Sequence, residues 1–97
     1  MEKQLTEQEL WELIGFIKIS PYRQEILRAL KNNYLMPSEI ARITGMRTTQ
    51  ASNTLSDMKS KGLVVCMNES AHKGRIYMHT ELGCEILDII ENKKPIR

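Results

Sequence analysis

Between Arg47 and Lys61 the chain carries Thr48, Thr49, Gln50, Ser52, Asn53, Ser56 and Ser60, with little charge among them. Ala51, Leu55 and Met58 recur at i, i+4 and i+7, one narrow apolar stripe of a helix. With that stripe against a core, a turn of about 100° per residue points Thr49, Asn53, Ser56 and Ser60 outward, flanked by Ser52 and Asp57. A solvated helix face usually holds Lys and Glu, which favour helix and solubility. Ser, Thr and Asn are poorer helix formers, by roughly a few tenths of a kcal/mol each. Short hydrogen-bonding side chains let a helix sink into a major groove and reach base edges or phosphates. A passive polar surface is the alternative reading of the same residues.

Other chemistries find little support. His72, His79, Cys66 and Cys84 are the residues suited to metal or redox work, and no C-x-C or C-x-x-C pair joins them. The two cysteines read as reduced, small buried hydrophobes and the six methionines as fillers of core gaps. There is no Ser-His-Asp arrangement, phosphate-cradling glycine loop or metal hydrolase motif, so neither an enzyme nor a cofactor is expected. With 97 residues, 41% hydrophobic and 27% charged, the chain fits one globular domain, 1–97. No apolar run approaches the roughly 20 residues that cross a bilayer. The acidic N-terminus lacks a secretory leader's apolar core, so the expected setting is cytoplasmic, without a membrane.

The net charge of +2 is unevenly spread. Residues 42–75 hold Arg42, Arg47, Lys59, Lys61, Lys73 and Arg75 against Asp57 and Glu69, a net of +4, while the segments on either side are each −1. A basic middle third is either a solvated surface or the footprint of a polyanion.

The elements that must position these residues read as helices, a hairpin and a helix. Thr6 caps a first helix, with Glu9 completing a capping box. Leu10, Leu13, Ile14 and Ile17 share one face, while Trp11, Phe16 and Ile19 fall on others. A helix apolar on several sides needs more than one cover, and a second subunit is a natural one. Ser20-Pro21 starts the next helix, with Ile26, Leu27 and Leu30 buried. Pro37 starts a short third helix with Ile40, Ala41 and Ile43 inward, and Gly45 stops it. Thr48 is the expected cap of the fourth helix, which closes at Lys61-Gly62. Leu63 to Asn68 and Arg75 to His79 read as strands around the loop Glu69 to Gly74. Thr80 caps a last helix in which Leu82, Ile86, Ile89 and Ile90 make the stripe and Leu87 widens it. The tail, Asn92 to Arg97, is polar and basic and is expected to fray.

This order resembles the winged helix-turn-helix family, particularly the small bacterial and archaeal transcription regulators of the MarR and ArsR type. Pro37-Ser38-Glu39-Ile40-Ala41 with Gly45 looks like the positioning helix and its turn. Ala51-Ser52 through Leu55 and Met58 to Lys61-Gly62-Leu63-Val64 looks like the recognition helix running into a wing strand. Gly74-Arg75, Tyr77, Thr80 and Gly83 look like the end of the wing and the start of the closing helix. The expected class is mainly α with a small β-hairpin: a three-helix core and two-stranded wing, flanked by N- and C-terminal helices. The chain departs from its relatives at His79, where a leucine is usual, and its wing loop is short and weakly basic.

The resemblance implies a homodimeric transcription regulator of double-stranded DNA, with the helix-turn-helix at 37–62 and the wing at 63–79. Helix-turn-helix proteins touch bases from the start of the recognition helix, here Arg47, Thr48, Thr49, Gln50 and then Asn53. Arg47 suits a guanine edge or a phosphate, and Gln50 or Asn53 suits adenine. Ser38, at the start of the positioning helix, is a phosphate contact or a cap. Ser52, Ser56, Lys59, Lys61 and Lys73 are further contacts. Arg75 at the hairpin tip reaches a minor groove or pairs with an acid, and His72 stands beside it. The flanking segments 1–19 and 80–92 are expected to dimerise through Trp11, Phe16, Ile19, Leu87 and Ile90. No effector motif is evident, so a small-molecule effector stays unassigned. The other reading of the fold is a protein-interaction module or adaptor subunit that does not bind DNA.

Overall fold

The computed structural model describes residues 5–92, so the first four residues and the basic tail 93–97 lie outside it. The order is α1 (Glu7–Lys18), α2 (Pro21–Leu30), α3 (Pro37–Thr44), α4 (Thr48–Ser60), β1 (Val64–Cys66), β2 (Tyr77–His79) and α5 (Glu81–Ile90).

Local chemistry sets most of the boundaries. The Thr6 Oγ1 accepts from the Glu9 N–H at 3.1 Å and the Glu9 carboxylate accepts from the Thr6 N–H at 2.9 Å, so both halves of the capping box form. Ser20 caps α2, Pro21 takes its first position, and Asn32 turns the chain away at φ 62°. Gly45 ends α3 at φ 80°, a left-handed conformation that costs glycine little. Thr80 does two jobs. Its Oγ1 accepts from the Gly83 N–H at 3.0 Å to cap α5, and its hydroxyl donates to the Gly62 carbonyl at 2.6 Å, tying α5 to the exit of α4.

The core is one cluster that draws Leu10, Ile14 and Ile17 from α1, Ile26, Leu27 and Leu30 from α2, Ile40 from α3, and Ala51, Leu55 and Met58 from α4. Leu63, Val64, Ile86 and Leu87 complete it from the strand and α5. The two strands pair antiparallel, Val64 with His79, Val65 with Met78 and Cys66 with Tyr77.

Several expectations need correction. Ile43 does not face inward; it is 61% exposed. Thr44 shares the inner arc with Ile40 and Ala41 instead, which leaves Ile43 roughly 110° from its centre on an α-helix. The cap position of α4 belongs to Arg47, and Thr48 is the first helical residue. Burial of Met46 pins the turn, so the extended cap geometry falls on the residue that follows. The strands are three residues each, shorter than expected, because the Asn68 side chain takes over where the ladder would continue. Its Oδ1 accepts from the Ile76 N–H at 2.7 Å and its Nδ2 donates to the Gly74 carbonyl at 3.0 Å. Leu35, read as part of a connection, adds an isolated bridge on the other edge of β2 by exchanging two backbone hydrogen bonds with Tyr77. Leu87, expected to offer apolar surface to a second subunit, is buried in its own chain at 2% exposure.

Candidate nucleic-acid interface

Packing of α4 on α3 turns Ala51, Leu55 and Met58 into the core, all fully buried. Every outward position then follows from helix geometry. Thr48, Thr49, Gln50, Ser52, Asn53, Ser56, Asp57 and Ser60 are all exposed. Two hydroxyls on this helix bond its own backbone, Thr54 to the Gln50 carbonyl and Ser60 to the Asp57 carbonyl. The first turn of α4 has no side-chain cap. Its leading N–H groups therefore point outward with the positive end of the helix dipole behind them, an arrangement that suits an anion.

A cleft of about 450 Å³ runs between this ridge, the start of α3 and the wing. Ser38, Thr48, Ser52, Asn53, Ser56, Lys73 and Arg75 line it, so seven of the residues singled out from the sequence meet at one surface. Met36, Pro37, His72, Gly74 and Tyr77 complete the lining. Ser38 is the second helical residue of α3 and makes no cap; the Glu39 carboxylate accepts from the Met36 N–H at 2.8 Å instead. Arg47, Thr49 and Gln50 are exposed at the head of the same ridge, beyond the cleft.

Three expected contacts are held otherwise. Lys59 is not free for phosphate. Its Nζ donates to both carboxylate oxygens of Glu69 at 2.6 Å. The Glu69 hydrogen bond holds the Lys59 ammonium above the ordinary lysine range, and the same bond holds Glu69 below the ordinary carboxylate range. Arg75 does not reach out from the hairpin tip. Its Nε donates to the Ala71 carbonyl at 2.8 Å and its guanidinium to the Glu69 carbonyl at 3.2 Å. Lys61 points to the α1 side, 5.5 Å from the centre of the Phe16 ring, whereas Arg23 lies 3.8 Å from that ring. Phe16 is therefore half-covered by its own chain.

The wing loop is a closed unit. Asn68 and Arg75 together bond four of its backbone groups, and the Cys66 thiol donates to Asn68 Oδ1 at 3.6 Å. The roles of Asn68 and Glu69 were missed in the sequence. The signal for Asn68 was its type: asparagine at a strand end substitutes for backbone partners. No comparable signal marks Glu69, whose partner lies ten positions away on another element. Among the described residues no group of three or more His, Cys, Asp or Glu side chains could hold a metal ion.

A three-helix core whose last helix shows a polar ridge, followed by a hairpin folded beside it, has solved counterparts. The chain has the winged helix-turn-helix fold. It is similar to the homodimeric winged helix-turn-helix DNA-binding domain of a possible ArsR-family transcriptional regulator from Mycobacterium bovis, with 23% identity over 96% of this chain and 89% of that one, at a TM-score of 0.72. It is also similar to TubR bound to 24 bp of tubC from Bacillus thuringiensis, at 17% identity, 96% and 100% coverage and a TM-score of 0.74. NolR from Sinorhizobium fredii matches at 18% identity, 96% coverage of each chain and a TM-score of 0.66. No protein-family model and no curated protein matches the chain. In that fold, α3 and α4 correspond to the helix-turn-helix and residues 64–79 to the hairpin called the wing.

Proposed function

We propose that this protein is a sequence-specific double-stranded DNA-binding transcription regulator that acts as a homodimer. The recognition helix α4 enters the major groove, and the wing meets the backbone beside it. The observation that carries this reading is the exposed hydroxyl- and amide-bearing ridge of α4, uncapped at its N-terminus and joined to Ser38 and Lys73 by one cleft. Two of the similar structures support it: one is a homodimeric DNA-binding domain and another holds DNA. Among the described residues, Arg47 and Lys73 of this surface form no ion pair, and His72 lines the cleft with Lys73. Lys59 and Arg75 act inside the wing. The dimer face falls on Trp11 and Ile19 of the α1 segment, which are 51% and 80% exposed. No helix among the described residues is long and apolar enough to cross a membrane.

Selection of bound sequences from random duplexes, followed by a salt titration, tests the reading. The expected result is a two-fold motif with half-sites about 34 Å apart and a steep salt dependence, about −0.9 in the log–log slope per neutralised phosphate. A flat dependence and no enriched motif would overturn it. One observation favours the adaptor reading: Asp57 stands exposed on the ridge and Glu69 neutralises Lys59, which trims the positive band. That reading expects no duplex binding at low salt and a fixed protein partner.

A further inference from the structure

Asp57 stands where nothing in the fold asks for an acid. It is exposed in the last turn of α4, and its carboxylate forms no ion pair or hydrogen bond among the described residues. Lys61, four positions on and the natural helical partner, lies beside the Phe16 ring instead, 5.5 Å from its centre. Lys59 is taken by Glu69. The helix itself disfavours the residue: aspartate is a poor helix former, and the negative pole of the dipole lies at this end. A surface that meets phosphates disfavours it again. Yet Asp57 belongs to the ridge. On an ideal helix it lies about 50° from the line opposite Ala51, Leu55 and Met58, nearer that line than Ser52 at about 90°. Ser52 lines the cleft. Asn53 is one turn before Asp57 on the same face.

We infer that Asp57 selects cytosine in the major groove. The inference rests on the DNA-binding reading and deepens it by naming a base. Only adenine and cytosine offer an amino donor in that groove, and guanine and thymine present acceptors that repel a carboxylate. The adenine amino group lies between two acceptors, its own N7 and thymine O4. The cytosine amino group has an acceptor on one side only, guanine O6, so a carboxylate accepts from cytosine N4 at the lowest electrostatic cost. The short aspartate side chain has to come close to the bases, which the small neighbours Asn53, Ser56 and Ser60 permit. The charge then works by exclusion. It is repelled by phosphates and by every wrong base edge, and that handicap is offset only where N4 meets it.

Selection of bound sequences from random duplexes, run in parallel on the full chain and on Asp57→Ala and Asp57→Asn, tests this. The wild type is expected to enrich a cytosine at one position of each half-site and to lose about tenfold or more in affinity when that C·G pair is replaced. Asp57→Ala is expected to lose the preference and to bind the replaced sites more tightly than the wild type does. Asp57→Asn is expected to move that position toward adenine, which an amide reads through N6 and N7. Both variants are expected to keep the helical circular dichroism, since the carboxylate has no partner in its own chain. A wild-type motif without such a cytosine, a cytosine that survives Asp57→Ala, or an Asp57→Ala variant that binds every duplex more tightly by the same factor overturns the assignment and leaves the regulator reading standing. A wild-type chain that binds no duplex at low salt overturns both.

Discussion

Lys59 Nζ sits 2.6 Å from both carboxylate oxygens of Glu69, so the last turn of the recognition helix is clasped to the wing loop. The pair is exposed and screened, and adds little to global stability. Its effect is on charge and position. It removes one cation from the surface proposed to face DNA and holds the wing beside α4. Glu69→Gln is therefore expected to free Lys59, tighten duplex binding and steepen the log–log salt slope by about 1. Fluorescence anisotropy over a salt series checks this. Unchanged slope and weaker binding would mean that the clasp positions the wing and that Lys59 stays bound within it.

The pH response of the clasp has a definite sign. Glu69 is held below its ordinary range, so its contribution is present above the unfolded glutamate pKa and fades as pH falls through the lower folded value. Lys59 is held above its ordinary range, so its contribution is complete below the unfolded lysine pKa and lost as pH rises through the raised folded value. The clasp is closed across the whole neutral range. A carboxyl-carbon NMR titration should find Glu69 protonating at lower pH in the wild type than in Lys59→Met.

Arg47 and Lys73 separate reading from gripping. Arg47 is exposed at the cap of α4, where its side chain makes no cap hydrogen bond. Arg47→Ala is expected to relax preference at one base position by about 1–3 kcal/mol. Lys73→Ala is expected to weaken all duplexes about equally and lower the salt slope by about 1. Binding-site selection repeated with each variant distinguishes the two; identical effects would remove Arg47 from base readout.

Asn68 and Arg75 hold the wing loop from within, the first through Ile76 and Gly74 and the second through Ala71 and Glu69. Asn68→Ala leaves the half-buried Ile76 N–H without its acceptor and is expected to cost about 1–3 kcal/mol. Arg75→Ala is expected to leave the thermal midpoint nearly unchanged and to speed amide exchange across residues 69–76. Slow exchange there in Arg75→Ala would show that the loop does not depend on the guanidinium.

Gly83 sets how closely α5 approaches the chain leaving α4. A Cβ at this position would lie 2.2 Å from the Leu63 carbonyl oxygen and 3.3 Å from Leu27 Cδ2. The obstructing atom is backbone, and Leu63 also accepts the Thr80 N–H through that oxygen. Gly83→Ala is expected to destabilise by about 2–4 kcal/mol through overpacking. Urea unfolding measures it, and a loss under 0.5 kcal/mol would show that α5 shifts freely.

Local rules made much of this fold legible. Thr6 with Glu9, Ser20 with Pro21, Gly45 and Thr80 each act within three or four residues of their partners, and each does what its type and spacing imply. The stripe Ala51, Leu55, Met58 is buried to the last atom, which is why the outward ridge could be drawn before any coordinates. The cleft lining was legible to the extent that it depends on that ridge.

Side chains whose partners lie on other elements were not legible. Lys59 reads as a free cation until the wing loop brings Glu69 to it. Arg75 reads as a probe of the groove or the partner of an acid until the loop carbonyls turn toward it. Leu87 reads as surplus apolar surface until α5 is laid against the core. The amino-acid order by itself determined where helices start and stop and which face of each is greasy, because capping and periodicity act over a turn or two. Only the tertiary structure decided which charges remain unpaired and which apolar groups remain uncovered, because both depend on groups far apart in the chain arriving within a few ångströms of one another.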